Sequence, residues 1–443
     1  MTRFLKMIDR IRSGLWFVPA AMLSTAVALA FGLGALDHSF FRGSDDLPWW
    51  VYSGGPEEAR GLLATIAGSM ITVAGVVFSM TIVALSLASQ QFGPRLLRNF
   101  MQDRGNQLVL GTFTSLFVYC MLVLRTVRGG ELAPFVPHLS LSVAILLSIV
   151  AIGVLIYFIH HVSWSIQVDN VIGKLAKDLD RRIDESFGDL DENETPMRTA
   201  GDPATVTSLH DGYVQFYALE ELVRGAAERK ARVRLLRGPG DFAFRDRVLA
   251  EVWPPEAVGE GGDWIREAVT IGTVRTELQD VEFDMARLVE IGLRALSPSL
   301  NDPFTAISCV NRLGAALARI CVLEARWQFR DEENEIRLEV PRIDFVQIAN
   351  LAIDPMARAA RSLPSVQFHQ LEVLDRILKG AVPRSRGAIL REHGRKIAEM
   401  IDRSSLGVFE VRALSELQSR LESGEGDEGE RFMSPSMNLS TND

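Results

Sequence analysis

The sequence predicts an α-helical integral membrane protein with four transmembrane helices, followed by an α+β cytoplasmic domain made of a small β-rich unit and a helical bundle. The first observation is four apolar stretches, each near the length of about 20 residues that spans a bilayer core. They are Leu15–Leu36, Gly61–Ser89, Leu108–Leu124 and Leu139–Ile159. The second is the distribution of Lys and Arg between the loops, and the third is the strand and helix pattern beyond Ile159.

The composition supports this class. The chain is 47% hydrophobic and 23% charged, which leaves room for a membrane part and a folded soluble part. A net charge of −9 without a Lys/Arg-rich run argues against a nucleic-acid partner. Cys120, Cys309 and Cys321 form no CxxC pair, and we expect them to be reduced core residues.

The loop charges predict the topology. Basic residues are frequent before the first span and after the second and fourth, and sparse in the loops 37–60 and 125–138. Because basic loops stay in the cytoplasm, both termini are expected there. The first apolar run is longer than a signal-peptide core and three spans follow it, so we expect it to be retained. Trp49, Trp50 and Tyr52 suit an interfacial aromatic belt.

The second span carries one face of small residues. At alternating steps of four and three this small-residue face comprises Gly61, Thr65, Gly68, Thr72, Gly75, Ser79, Ile82, Ser86 and Ser89. One interpretation is close packing against a neighbouring span, since small residues let helix backbones approach. The other is that several copies surround a hydrated path lined by hydroxyls. The span contains no ionisable residue, which argues against a proton relay or a charged filter within it.

The pattern divides the chain into five segments. They are a transmembrane domain (1–163), a membrane-proximal helix and linker (164–203), a β-rich unit (204–254), a mainly helical domain (255–421) and a disordered tail (422–443). Strand-like runs fill the β-rich unit around a short helix, Leu219–Glu228. The stretch "RWQFRDEENEIRLEV" predicts a hairpin within the helical domain.

The motif "ALSPSLNDPFTA", Ala295–Ala306, stands between two apolar-striped helices. Pro298 ends the first helix, while Asp302 and Pro303 supply the N-cap and the first residue of the second. This predicts a helix-hairpin corner and leaves Asn301 unexplained. A polar cluster for a ligand, an ion or a neighbouring subunit is the alternative, and its candidate residues are Arg275, Gln279, Asp280, Asn301 and Asp302.

No catalytic signature is found. The sequence has no His/Cys metal spacing, no phosphate-binding Gly loop and no Gly-x-Ser-x-Gly elbow. His160 and His161 are adjacent, so on a helix they point about 100° apart and do not suit one metal site. We therefore expect no cofactor, no resident metal and no enzymatic activity.

Several stretches resemble one bacterial family, the predicted membrane proteins with domain of unknown function 2254. The resemblance rests on the region around "QQFGPRLLRNF", on "SIQVDNVIGKL", on "RTELQDVEFDMARLVEIGLRALSPSLNDPFTAI" and on the shorter "DGYVQF" and "GDFAF". It covers nearly the whole chain except the tail. It implies a multi-span inner-membrane protein with a cytoplasmic C-terminal domain, and it lends no activity and no catalytic residue.

Three functions remain open at this point. The first is a homo-oligomer in the bilayer whose second spans surround a conduit for ions or small solutes, regulated by the cytoplasmic domain. The second is a non-conducting scaffold that recruits a cytoplasmic partner. The third, a membrane enzyme, is disfavoured by the missing motifs.

Overall fold

A computed structural model describes residues 16–40, 48, 52–92, 103–129, 135–189, 199, 201–259 and 261–423. The chain forms two compact units, Met1–Val171 and Ile172–Asp443. Three sequence predictions fall outside the described residues: the basic N-terminal segment, the aromatic pair Trp49 and Trp50, and nearly all of the tail. Most of the "QQFGPRLLRNF" motif, including its Gly93-Pro94 helix break, also lies outside them.

The first unit contains four helices that are long and apolar enough to cross a membrane. They are α1 (Phe17–Phe40), α2 (Pro56–Phe92), α3 (Arg104–Thr126) and α4 (His138–Ser165). The four predicted apolar stretches are thus confirmed as helices. At about 1.5 Å per residue the 37-residue α2 is roughly 55 Å long, which exceeds a hydrocarbon core of about 30 Å.

Helix α3 is the centre of the first unit and packs against α1, α2 and α4. Its buried residues include Val109, Phe113, Leu116 and Tyr119. Half of the residues in its most apolar stretch are buried, whereas 22% or less are buried in the corresponding stretches of the other three helices. Those three therefore present most of their apolar surface outward, as expected of helices that face lipid.

Polar side chains cap the helices of this unit. Asp103 caps α3 by accepting from the Gly105 amide at 2.7 Å. The first turn of α4 has no side-chain cap of its own, because Pro137 occupies the cap position. Asp37 of α1 supplies the missing carboxylate, accepting from the amides of Leu139 at 2.7 Å and Ser140 at 2.9 Å. These bonds compensate an acid that is fully buried.

Helix α5 (Val168–Ser186) begins in the last residues of the first unit and continues into the second. Its apolar stripe, Ile172, Leu175, Leu179 and Ile183, is buried. Strand β1 (Phe187–Asp189) follows, within a segment predicted as linker. The β-rich part contains β2 (Ala204–Thr207), β3 (Gly212–Tyr217), α6 (Leu219–Glu228), β4 (Arg232–Leu235), β5 (Phe242–Ala243) and β6 (Val248–Trp253). The predicted strands and the short helix are confirmed.

The remaining elements are α7 (Asp263–Ala268), β7 (Val269–Gly272), α8 (Val281–Ala295), α9 (Pro303–Ile320), β8 (Leu323–Ala325), β9 (Gln328–Arg330), β10 (Ile336–Glu339), α10 (Phe345–Ala359), α11 (Pro364–Leu378), α12 (Arg384–Met400) and α13 (Val408–Ser423). Strands β9 and β10 form the predicted hairpin.

The sheets cross the predicted segment boundary at 254. The five-stranded sheet has the order β2-β6-β4-β10-β9, so the hairpin extends the β-rich unit through a parallel pairing of β10 with β4. A three-stranded sheet has the order β5-β3-β7, and β1 pairs with β8. The β-rich and helical segments therefore contribute strands to the same sheets.

Helix α8 begins later than its apolar pattern predicts. The spacing of Val274, Leu278, Val281, Met285, Leu288 and Ile291 predicts one apolar helix face. Val274 and Leu278 instead precede the helix and are 54% and 56% exposed. Asp280 sets the true start, because its carboxylate accepts from the Phe283 amide at 3.0 Å. The predicted start of α9 is confirmed, with Asp302 as N-cap and Pro303 in the first turn.

Candidate functional site

The small-residue face of α2 is turned away from the rest of its chain. The side of α2 that packs in the first unit is formed by Ala59, Leu63, Ile66, Ala67, Met70, Ala74 and Val77, all buried. At about 100° per residue these positions lie opposite the small-residue face. From Gly61 to Ser86 every member of that face is exposed, and Ser89 is half-buried.

The glycines of this face make no close contacts. A Cβ built on Gly61, Gly68 or Gly75 meets no atom within 4 Å, whereas a Cβ on Gly111 of α3 would lie 2.6 Å from the Met22 sulfur. Gly111 therefore permits the close approach of α1 to α3. The described helices of the same chain do not pack on the small-residue face.

The threonine hydroxyls on this face are satisfied within the helix. Thr65 Oγ1 donates to the Gly61 carbonyl and Thr72 Oγ1 to the Gly68 carbonyl, each at 2.8 Å. Each hydroxyl oxygen keeps acceptor capacity that can point outward. The face is thus a polar strip whose threonine hydroxyls need no partner outside the helix and can still accept hydrogen bonds.

The two adjacent histidines at the end of α4 have different surroundings. His161 Nε2 lies 2.9 Å from Asp103 Oδ1, next to the cap of α3, while His160 is exposed. Among the residues that the structure describes, no group of three or more His, Cys, Asp or Glu side chains could hold a metal ion.

In the second unit, two of the candidate polar residues form an ion pair. Arg275 Nη2 donates to Asp280 Oδ1 at 2.8 Å, and its Nε donates to the second carboxylate oxygen. Burial lowers the pKa of Arg275, and the hydrogen bond and charge of Asp280 outweigh it, so the pKa is raised. Burial and the charge of Asp280 raise the pKa of the neighbouring Glu282.

The "GDFAF" segment packs on this ion pair. Gly240 has φ +94°, and a Cβ there would overlap both Asp280 and Arg275. The Gln279 side chain binds the backbone of Tyr217 at the end of β3. Its Oε1 accepts from the Tyr217 amide at 2.8 Å, and its Nε2 donates to the Tyr217 carbonyl at 3.1 Å. Arg275, Gln279 and Asp280 thus tie the loop before α8 to the sheet.

Asn301 and Asp302 lie at the other end of α8, about 22 Å along a 15-residue helix. The structure therefore does not bring them to Asp280. Asn301 is exposed and has φ +46°, a left-handed conformation that asparagine tolerates better than most residues. Leu300 and Phe304 nearby are 48% and 80% exposed, so the corner presents two large apolar side chains at the surface.

The sequence shows Asp284 and Arg287 one turn apart on the helix before the corner, but Arg182 as their buried partner was missed. Arg182 of α5 donates to Asp284 of α8, and Arg287 Nη1 lies 3.4 Å from the same carboxylate. Burial raises the pKa of Asp284, and the two guanidinium groups oppose this shift. The available signal was Arg182 itself, which interrupts the buried stripe of α5 between Leu179 and Ile183.

Comparisons with known proteins agree on one family. The model of a family described as predicted membrane protein (DUF2254) matches residues 12–376. Uncharacterised proteins of Mycobacterium tuberculosis and Mycobacterium bovis are 30% identical over 422 residues, covering 90% of this chain and 79% of theirs. No solved structure matches the chain.

Proposed function

The chain belongs to the DUF2254 family of predicted membrane proteins, and we propose that it is a homo-oligomeric inner-membrane protein whose α2 helices surround a conduit for ions or small solutes. In this proposal both termini and the second unit lie in the cytoplasm, where the second unit regulates the conduit. The main observation behind this proposal is the small-residue face, which is exposed on the side of α2 opposite its buried side.

The surroundings of this face support an assembly. Large apolar side chains such as Phe78, Met80 and Val83 also point outward from α2, as lipid-facing residues do. The small-residue face differs from them, because it offers lipid little side chain and exposes glycine backbone. Small residues on a transmembrane helix favour contact with another helix. Threonine hydroxyls that recur along one face of the helix favour contact with water.

The charge at the end of this face favours cations. Glu57 precedes Gly61 by four residues, so it lies on the same side of α2, and it is exposed. Arg60 points elsewhere and donates to the Val127 carbonyl at 3.2 Å. Copies of α2 around a common axis would place a ring of Glu57 carboxylates at one mouth, and acidic rings are typical of cation pathways.

A non-conducting scaffold is the second candidate function. The apolar corner at Leu300 and Phe304 favours it, because two large exposed side chains beside a left-handed turn form a compact contact point. In this case the second unit recruits a partner through the corner, and the small-residue face serves assembly alone.

Flux through the purified protein in liposomes separates the two. We expect K⁺ release above that from empty liposomes, and a loss of that release when Leu replaces Gly68 or Gly75. Glu57→Gln should reduce the preference for K⁺ over Cl⁻ without abolishing flux. An inserted, oligomeric protein that releases neither ion excludes the conduit and leaves the scaffold.

A further inference from the structure

A charged cleft lies between the C-terminal ends of α10 and α12 in the second unit. Its volume is about 420 Å³, and it is lined by Asp354, Arg358, Arg361, Lys396, Glu399 and Met400. Small-molecule sites commonly have volumes of about 300–1,000 Å³. The cleft is therefore large enough for a small metabolite, and its lining is almost entirely ionic.

The cations of this cleft are incompletely paired. Within the described part of the chain, neither Arg358 nor Arg361 makes a hydrogen bond or an ion pair, and Lys396 lies 3.6 Å from Glu392 outside the cleft. Three cationic side chains face two carboxylates here, in a chain whose net charge is −9. The side chains of the cleft thus carry a net positive charge, whereas the net charge of the chain is negative.

One of the two carboxylates is already engaged. Asp354 Oδ1 lies 2.8 Å from Nδ1 of His393, which is only 3% exposed. Burial lowers the pKa of His393, outweighing the charge of Asp354, so at neutral pH the imidazole is neutral and its Nδ1–H donates to the carboxylate. This bond fixes Asp354 at the cleft wall and leaves Glu399 as the carboxylate without a fixed partner in the cleft.

We propose that this cleft binds a small phosphate monoester that also carries hydroxyl groups, such as a sugar phosphate. Two guanidinium groups three positions apart offer forked donors that match phosphate oxygens. Glu399 and the free oxygen of Asp354 are acceptors, which suit the hydroxyl groups of the ligand. The site is independent of the conduit, because it uses only residues of α10, α12 and the turn after α10.

Calorimetric titration of the purified full-length protein tests this proposal, with ribose 5-phosphate, inorganic phosphate and unphosphorylated ribose as probes. We expect saturable binding of ribose 5-phosphate, weaker binding of phosphate and none of ribose. Arg358→Gln combined with Arg361→Gln should weaken ribose 5-phosphate binding at least about tenfold, as expected for the loss of charge-assisted bonds.

The matched control is Arg412→Gln, because Arg412 is also exposed but pairs with Glu416 on α13, outside the cleft. It should bind as the wild type does. Both cleft arginines are exposed, so the double variant should keep its melting temperature. Absence of ribose 5-phosphate binding, equal binding of ribose, or unchanged binding by the double variant would each overturn the proposal.

Discussion

Asn301 illustrates what a single residue contributes to the corner between α8 and α9. Its left-handed backbone lets the Asp302 amide donate to the Ala295 carbonyl at 2.8 Å, while its own amide donates to the Ser297 carbonyl at 2.9 Å. The turn thereby closes the C-terminal end of α8 and places Asp302 to cap α9. Asn301 thus has a conformational role that capping rules alone do not supply.

Asn301→Ala should therefore lower the free energy of unfolding by about 1 kcal/mol, since a Cβ-bearing residue without a local polar side chain resists this conformation. Asn301→Gly should leave it nearly unchanged, because glycine adopts positive φ freely. Chemical denaturation of the purified protein, followed by tryptophan fluorescence, measures both. If glycine destabilises as much as alanine, the side chain makes a contact that the corner alone does not explain.

His393 makes a pH-dependent contribution to stability. Its folded-state pKa lies below the ordinary value of 6.5, so the unfolded chain takes up the proton first as the pH falls. The stability that His393 contributes is then complete above about pH 6.5 and declines as the pH falls below it. Melting temperatures between pH 8 and pH 5 should show this decline in the wild type and a smaller one in His393→Asn. Parallel curves for the two proteins would contradict it.

The sequence predicts residues whose role is local and misses those whose role is long-range. Asp302 and Pro303 were identified because a cap and the residue it caps lie three positions apart. The pairing of Arg182 with Asp284 joins residues 102 positions apart, and no local pattern brings them together. Nor does a local pattern reveal that Asp37 caps α4, since the carboxylate and the amides belong to different helices.

The four candidate spans were predictable as elements, because an α-helix that crosses a bilayer must be long and apolar. The strands of the β-rich unit were predictable from their alternation, as in β3. The parallel pairing of β10 with β4 was not, because Leu338 and Val233 are far apart in sequence. Periodicity likewise shows which residues share a face of α2, and only packing shows which face is buried.

The exposed glycines of α2 allow a controlled test of assembly. Gly68→Leu and Gly75→Leu should shift the purified protein from oligomer to monomer, since each adds a side chain where close helix approach is expected. Neither should disturb the chain's own fold, because a Cβ at these positions meets no atom within 4 Å. Mass photometry in detergent measures the distribution of species.

Gly153→Leu is the control for that comparison. Gly153 lies on α4, is exposed, and a Cβ there also meets no atom within 4 Å. Its variant should assemble normally. If the α2 variants assemble like Gly153→Leu, the small-residue face is not an interface between copies.

At the scale of the molecule, the charge distribution predicts how the chain is oriented. Basic residues concentrate before the first span and after the second and fourth. The four candidate spans among the described residues, an even number, would return the chain to its starting side. Reporter fusions at Asp443 should report the cytoplasm, and an insertion near Pro48 should report the periplasm. A periplasmic signal at Asp443 would contradict this orientation.

Thiol labelling in membranes shows whether the small-residue face of α2 lines a hydrated path. Cysteine replaces Thr72 or Ser79 after the buried Cys120, Cys309 and Cys321 have been removed, and Ile149→Cys, at a position 61% exposed on α4, reports a lipid-facing site. A water-soluble, membrane-impermeant reagent should modify the Thr72 and Ser79 variants at least about tenfold faster than the Ile149 variant, as expected for side chains in contact with water. Equal, slow modification at all three positions would contradict the claim.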